Sequence, residues 1–376
     1  MDIILVSALF KPHMGGVERY TENLAATLSS MGHNITIITS KISSTNEYER
    51  DPKGYTIVRL ASVCLMHERF PVLLPVLSRN LTNRLPENPD AIVINTRYYP
   101  ITLFGLKLAR KLDAKAFVID HSSSHISTGN KIVNLAFELY EHAISSCAKK
   151  YKPSFCAVST ESAQWLAHFG ITSTAILHNA IDINNFLSQK SNRDFRLECS
   201  LSQQAFLVVF TGRLLVEKGI WECLNAARLL QQENVHFLIA GTGDQENALK
   251  KEAPCNFHLL GRLNYPDISA LLSQADAFCF PSQYPEGLPT SLLEAGAAGL
   301  PIVTYQNGGT SELIPNSSYG IVLTNTSKIS LVDALLTLKE DQNMRKLMGK
   351  NIKKHVRDSF SWDTTASNLI NIIRQA

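Results

Sequence analysis

The sequence predicts an α/β chain built from βαβ units and long enough for two domains. Three observations carry that prediction. The chain has 376 residues, room for two domains of ordinary size. Residues 3–39 read as strand, glycine loop, amphipathic helix and strand. Residues 277–305 repeat the succession, with two short apolar strands around a loop and an alanine-rich helix.

Composition narrows the class. With 45% hydrophobic and 18% charged residues, the chain has the make-up of a soluble globular protein and not of a disordered one. Seven cysteines, at 64, 147, 156, 199, 223, 255 and 279, are odd in number and show no C-x-x-C spacing. They predict free thiols in a reducing, cytoplasmic setting. The opening MDIILVSALF has Asp2 where a signal peptide carries positive charge, so it reads as a first strand. No run approaches the roughly 18 apolar residues of a membrane span; the stretch at 70–77 is too short and holds two prolines. The net charge of +3 is uneven: 18 Lys and Arg face 14 Asp and Glu up to residue 180, against 18 and 19 beyond it. That biases the amino-terminal half, weakly, towards anionic surfaces.

Taken in order, the first helix places Val17, Leu24, Leu28 and Met31 near one face, and Gly32 ends it before a strand at 35–39. Gly15 and Gly16 open that helix without a full G-x-G-x-x-G, so no dinucleotide fingerprint is present. The pair either makes the turn alone or lets a phosphate or acceptor group approach backbone amides. Residues 41–88 read as irregular, polar at first and then apolar, with Arg69, Arg79 and Arg84 among Phe70, Val72, Leu73 and Leu74. Lys107, Arg110 and Lys111 lie on one side of a helix carrying Ile101, Phe104 and Leu108. Both basic segments fit ordinary crossover structure or a face for anionic membranes.

Strands follow at 91–95 and 116–119, and His121 stands just past the second, at the end where doubly wound domains bind ligands. His125 is its rival. A long helix covers 131–149, then come a strand at 157–159 and the helical SAQWLAHFG. The domain boundary falls near 179–191. Beyond it, a strand at 206–210 leads into TGRLLVEKGIWECLNAARLL, where Arg213 and Lys218 flank a loop before a helix. Two cations there can neutralise a diphosphate, or simply line a solvated loop. Strands at 237–240 and 257–260 end in Gly241-Thr242-Gly243 and Gly261-Arg262-Leu263, and a final helix covers 360–376.

Residues 281–313, PSQYPEGLPTSLLEAGAAGLPIVTYQNGGTSEL, concentrate the remaining signals. Glu286 and Glu294 stand eight positions apart around a Gly287-Leu288-Pro289 turn. Pro289 suits a first helical position and Gly299 a helix stop, so Glu286 sits in a loop and Glu294 on the helix that follows. The amides and positive dipole end of that helix favour a phosphate beside Glu286. Spacing alone leaves open a capped helix with two unrelated glutamates.

Together these segments resemble the family-4 retaining glycosyltransferases. The likeness rests on E-x7-E with G-L-P and E-A inside it at 286–294, on G-R-x-x-x-E-K-G at 212–219, and on G-G-x-E followed by L-A-x-x-L-x-x-x-G-H at 15–33. Residues 179–186, NAIDINNF, match the family's N-G-V-D-x-x-x-F hinge, with Ala180 replacing the usual glycine. The likeness spans nearly the whole chain and is weakest over 41–88.

The resemblance implies the GT-B fold: two Rossmann-like doubly wound domains facing across a cleft. Residues 1–180 would form the acceptor-side domain, with a C-terminal helix at 361–376 packing back on it, and 181–360 the nucleotide-sugar domain. It implies a retaining glycosyltransferase, a hexosyltransferase, moving sugar from a nucleoside-diphosphate-sugar to an acceptor hydroxyl in surface polysaccharide or glycolipid assembly. In the implied site Glu286 holds sugar hydroxyls, Glu294 the ribose, His121 the donor sugar, and Arg213 and Lys218 the diphosphate. Gly16 borders the phosphates, Gly287, Leu288, Pro289 and Thr290 border the donor, and Arg262-Leu263 hold the base largely through backbone groups. No Asp-x-Asp occurs in the chain, so neither a metal under the diphosphate nor any other cofactor is expected. The expected partners are the donor, a lipid-linked saccharide acceptor and an anionic membrane surface met from the cytoplasmic side, and no nucleic acid. A nucleotide-sugar epimerase and a non-catalytic nucleotide-sugar-binding protein stay open as alternatives.

Overall fold

The computed structural model describes residues 1–13, 15–42, 45–65, 70–74, 85–125, 130–282, 287–323 and 328–376. They form two compact units, Met1–Asn179 with Trp362–Ala376, and Ala180–Ser361.

The first unit contains β1 (Asp2–Ser7), α1 (Gly16–Ser30), β2 (Asn34–Lys41), β3 (Tyr48–Arg50), β4 (Thr56–Leu65), β5 (Phe70–Leu73), β6 (Ala91–Asn95), α2 (Pro100–Lys111), β7 (Lys115–Asp120), α3 (Lys131–Lys149), β8 (Ser154–Ala157), α4 (Thr160–Ala167) and β9 (Ala175–Ile176). The strand order is β3-β4-β2-β1-β6-β7-β8-β9, with β5 also on β4. All pairs are parallel except β3–β4 and β4–β5. Parallel sheets are covered on both faces, so their strands are continuous apolar runs. Ile3 to Val6, Ile92 to Ile94 and Phe117 to Ile119 are accordingly fully buried.

The C-terminal helix Trp362–Gln375 belongs to this unit. It is held by an edge-to-face contact of Trp362 with Tyr20 at 5.2 Å. Lys115 Nζ also donates to the Ile373 carbonyl at 2.8 Å, and the Thr365 hydroxyl to the His178 carbonyl at 3.0 Å.

The second unit contains α5 (Ile183–Ser188), α6 (Phe195–Glu198), β10 (Phe206–Thr211), α7 (Ile220–Leu229), β11 (Val235–Ala240), α8 (Glu246–Glu252), β12 (Phe257–Gly261), α9 (Tyr265–Gln274) and β13 (Ala277–Phe280). It continues with α10 (Thr290–Ala298), β14 (Ile302–Tyr305), α11 (Thr310–Leu313), β15 (Gly320–Leu323), α12 (Lys328–Glu340) and α13 (Gln342–Ser359). Its sheet is parallel throughout, in the order β12-β11-β10-β13-β14-β15. Gly296 and Gly299 let α10 lie against α13: a Cβ at Gly296 would stand 2.7 Å from Val356 Cγ2.

Several expectations need correction. The described part of residues 41–88 is not irregular: three strands lie in it, and β4 alone runs for ten residues. Its first half is buried beside β2 and its second half is half-buried to exposed, so no single period marks it in sequence. The strand expected at 157–159 runs instead from Ser154 to Ala157. On α1 the buried face carries Glu18, Tyr20, Thr21, Leu24, Ala25 and Leu28, while Met31 is exposed at the C-cap. Arg69, Arg79 and Arg84 lie outside the described residues. Positive φ at described non-glycine positions is confined to Thr96, Asp113, Lys152, Ser200 and Asn234, so Ala180 adopts a backbone that alanine accepts.

Candidate active site

In both sheets the strand order reverses once, between β1 and β6 in the first unit and between β10 and β13 in the second. Open α/β sheets bind ligands at the carboxyl ends of the strands flanking such a reversal. Each unit presents a different chemistry there.

In the second unit the loops after β10, β11, β13 and β14 are joined backbone to backbone. A Cβ at Gly241 would lie 1.8 Å from the Gly212 carbonyl oxygen, and one at Gly243 2.5 Å from that of Leu214. Gly219, at φ +76, caps α7; a Cβ there would lie 2.0 Å from the Pro281 carbonyl oxygen, so only glycine fits. The Ser282 hydroxyl donates to the Glu217 carbonyl at 3.3 Å, the Asn307 side-chain amide donates to that of Ser282 at 3.5 Å, and the Gly309 N–H donates to that of Gly287.

On this framework Arg213 is exposed, and Lys218 is half-buried at the end of a short 3-10 turn, Val216–Lys218. Arg213 and Lys218 stand where β10 hands over to α7, and the N-terminus of α7 adds its unpaired amides to the same loop. Glu286 lies outside the described residues. Gly287 is half-buried, Leu288 is anchored in the core, and Thr290 is exposed. Pro289 stands at the N-cap of α10, with φ −61 and ψ 131, one place before the first helical position expected of it. Glu294 sits half-buried on α10. At the sheet edge, Gly261 (φ +68) turns the chain after β12; Arg262 is exposed and Leu263 leans on the core.

The first unit offers neutral hydrogen-bonding groups. His121 follows β7 and is half-buried. The Thr21 hydroxyl on α1 donates to the Val17 carbonyl at 2.9 Å and therefore accepts the Asn95 Nδ2 proton, also at 2.9 Å. Asn95 Oδ1 is thus left facing His121 Nε2 at 3.3 Å. That makes Nε2 the protonated nitrogen and Nδ1 a free acceptor. Tyr20 meets the imidazole edge-on at 4.7 Å. Burial pushes the His121 pKa down to about 3, so the ring is neutral at physiological pH. Gly15 donates its N–H to Glu18 Oε2 at 2.8 Å, and a Cβ there would strike that oxygen at 2.6 Å. Among the described residues nothing lies within 4 Å of a Cβ at Gly16, which is exposed at the start of α1.

Two features at this end of the first sheet escaped sequence reasoning. Thr96, directly after β6, is a buried β-branched residue at φ +78, a strained backbone of the kind that gathers at functional sites. Arg97, fully buried, reaches Asp120 Oδ2 at 3.2 Å, Glu141 Oε2 at 3.1 Å and the Ser145 hydroxyl at 2.6 Å, with its guanidinium 3.7 Å above the Phe169 ring. Burial raises the Asp120 pKa and Arg97 opposes the rise. The signal that could have exposed this network is an arginine two residues past an apolar strand, where a charge demands partners. His125, the rival to His121, turns to Glu141 and His168 instead.

The chain matches two family models, "Glycosyltransferase Family 4" over residues 14–185 and "Glycosyl transferases group 1" over residues 194–355. An uncharacterized glycosyltransferase of Methanocaldococcus jannaschii is 22% identical over 96% of this chain and 95% of its own. The UDP-Gal:alpha-D-GlcNAc-diphosphoundecaprenol alpha-1,3-galactosyltransferase of Escherichia coli is 22% identical over 93% of this chain and 91% of its own. Among solved structures, Anabaena HepE in complex with UDP superposes with a TM-score of 0.78 at 17% identity, covering 100% of both chains. Two models that meet near residue 190, full-length relatives and a shared GT-B fold agree: the chain belongs to the family-4 glycosyltransferases.

Proposed function

We propose that this glycosyltransferase takes its sugar from a nucleoside-diphosphate-sugar and passes it, with retention of anomeric configuration, to a lipid-linked or membrane-proximal acceptor. The observation that carries this reading is the pair of cations, Arg213 and Lys218, on the glycine-packed loop at the reversal point of the second sheet. Charge on the departing diphosphate grows in the transition state, and donors fixed beforehand act most strongly on growing charge. With these two cations, the α7 amides and no Asp-x-Asp in the chain, the diphosphate needs no divalent metal. Glu286 holds sugar hydroxyls, Glu294 the ribose, and the backbone of Arg262-Leu263 the base. His121 accepts a sugar hydroxyl proton at Nδ1, which Asn95 leaves free. Retention follows from same-face attack on a short-lived oxocarbenium ion, steered by Glu286, with the leaving diphosphate taking up the acceptor's proton. The Escherichia coli relative's name supplies both a UDP-sugar donor and a diphosphoundecaprenol-linked acceptor.

The acceptor side fits a lipid surface. Lys107, Arg110 and Lys111 are exposed on α2, and Ile132, Leu135 and Leu139 on α3 are 80%, 58% and 65% exposed. Each cation near an anionic bilayer contributes about 1 kcal/mol, which gives reversible attachment without a span. No helix among the described residues is long and apolar enough to cross a membrane.

The test is a panel of nucleotide sugars incubated with lipid-linked and soluble saccharides in metal-depleted buffer, with the product anomer read by NMR. Glycosylated product of the donor's own anomeric configuration, unchanged within about twofold by added magnesium or manganese, is the expected result. An inverted product removes retention, an absolute need for either cation removes the metal-free grip, and an epimerised donor or binding alone removes transfer. Liposome sedimentation checks the membrane arm: binding should need anionic lipid, fall with salt, and weaken when Lys107, Arg110 and Lys111 become serine.

A further inference from the structure

Behind the His121 loop the first unit gathers a second set of side chains that glycosyl transfer does not use. His125 comes from the segment after β7, Glu138 and His142 from successive turns of one face of α3, and His168 from the C-cap of α4. One ligating atom from each lies within 4.8 Å of all the others. His125 Nε2 stands 3.3 Å from His168 Nε2 and 3.8 Å from Glu138 Oε1.

We propose that these four residues form a structural site for a divalent cation of the zinc class. Zinc–nitrogen bonds of about 2.0–2.1 Å in a tetrahedron set neighbouring donors about 3.3–3.4 Å apart, and the two imidazole nitrogens already stand at that spacing. Three imidazoles and one carboxylate suit a borderline-soft ion, and four protein ligands make a closed site, structural and not catalytic. The surroundings orient the ligands. His125 Nδ1 lies 3.4 Å from Glu141 Oε2, within ion-pair distance though without a hydrogen bond, while Nε2 points to His168 and Glu138; Glu141 is itself held by Arg97 at 3.1 Å. The Trp165 indole stacks on His168 at 4.9 Å with the planes 10° apart. A carboxylate behind a ligating imidazole is the usual way of fixing its ring and tautomer. Bound there, the ion ties His125 to α3 and to the end of α4, adding to the ring contacts that His125 makes with Trp165 at 4.8 Å and Phe169 at 5.7 Å.

The experiment uses the full chain without a histidine tag, stripped with chelator, dialysed, and titrated with zinc by calorimetry and with cobalt by absorption. One equivalent of zinc, a four-coordinate cobalt spectrum and a rise in Tm on zinc addition are expected. His142→Ala and, at the exposed position, His168→Ala should each weaken zinc at least about 100-fold, with the metal-free Tm of each variant measured alongside to separate loss of the ligand from loss of the ring contacts. His236→Ala serves as control. It breaks another close imidazole pair, His236 with His258 at 3.2 Å, which has no place in the described four-residue cluster, and it should leave zinc binding unchanged. No uptake of zinc, uptake untouched by both cluster variants, or a six-coordinate cobalt spectrum overturns the site and leaves a plain imidazole–imidazole hydrogen bond in its place.

Discussion

The two units share one strand order at their reversal points and use it in opposite ways. In the second unit the loops at the carboxyl end are packed through backbone, with glycines where any Cβ would collide, and they carry two cations, exposed Arg213 and half-buried Lys218. In the first unit the same place is bound through side chains, with Arg97, Asp120 and Glu141 buried as a charged core and Asn95 and His121 held neutral above it. The difference teaches a division of labour. A growing negative charge calls for cations set in place beforehand on a rigid loop. A sugar hydroxyl calls for a neutral acceptor of fixed tautomer. The same strand order around the reversal point supplies both because the loops it carries differ.

The largest effect should come from breaking the first unit's charged core. Arg97→Ala leaves Asp120 and Glu141 buried without their cation and should cost about 3–5 kcal/mol, the usual cost of orphaning a buried charge. Urea unfolding measures it, and a loss below about 1 kcal/mol would mean that the network is no more than a surface-strength ion pair. In the second unit, Lys218→Ala should leave stability nearly intact and lower kcat by roughly 10²–10³, about 3–4 kcal/mol of transition-state stabilisation. Unchanged turnover would take the lysine out of the mechanism and the contrast with it.

A finer test concerns His121. Its pKa in the folded chain, about 3, lies below the roughly 6.5 of an unfolded histidine, so protonation favours unfolding. Its contribution is complete above pH 6.5 and is lost as pH falls towards 3, with a slope of up to about 1.4 kcal/mol per pH unit. His121→Gln keeps a donor for Asn95, removes the titration and removes the Nδ1 acceptor. Urea midpoints for this variant should flatten between pH 6.5 and 4, and kcat/KM should fall about tenfold, one lost hydrogen bond. Equal slopes in both proteins would show that His121 is not held neutral by its surroundings.

The smallest expected effect on folding, and the sharpest on the role of the α1 opening, belongs to Gly16→Ala. With open space around the added methyl, stability should hold or rise by up to about 1 kcal/mol. If a phosphate or acceptor approaches that backbone, KM rises while Tm does not fall. A parallel Gly15→Ala should instead lose stability, because its methyl would push Glu18 Oε2 off the Gly15 N–H from which it accepts. An unaltered KM in Gly16→Ala would assign the glycine pair to the turn alone.

The sequence by itself determined the alternation of strands and helices wherever one period held. It marked the loops that carry Gly16, His121, Arg213 and Lys218, and the family through motifs confined to a few consecutive residues. Those features are local: a buried parallel strand is an apolar run, and a glycine at a strand's end marks a turn whatever lies elsewhere. Tertiary structure alone decided β4, whose burial changes halfway along because one neighbouring strand ends. It also decided the fate of Arg97, since only the fold brings residues 120, 141 and 145 to it. The imidazole cluster and the tautomer of His121 depend on side chains tens of residues apart, at 125, 138, 142 and 168 and at 21, 95 and 121. Charge placement and proton position are set by partners across the sheet, and no window of neighbouring residues contains them.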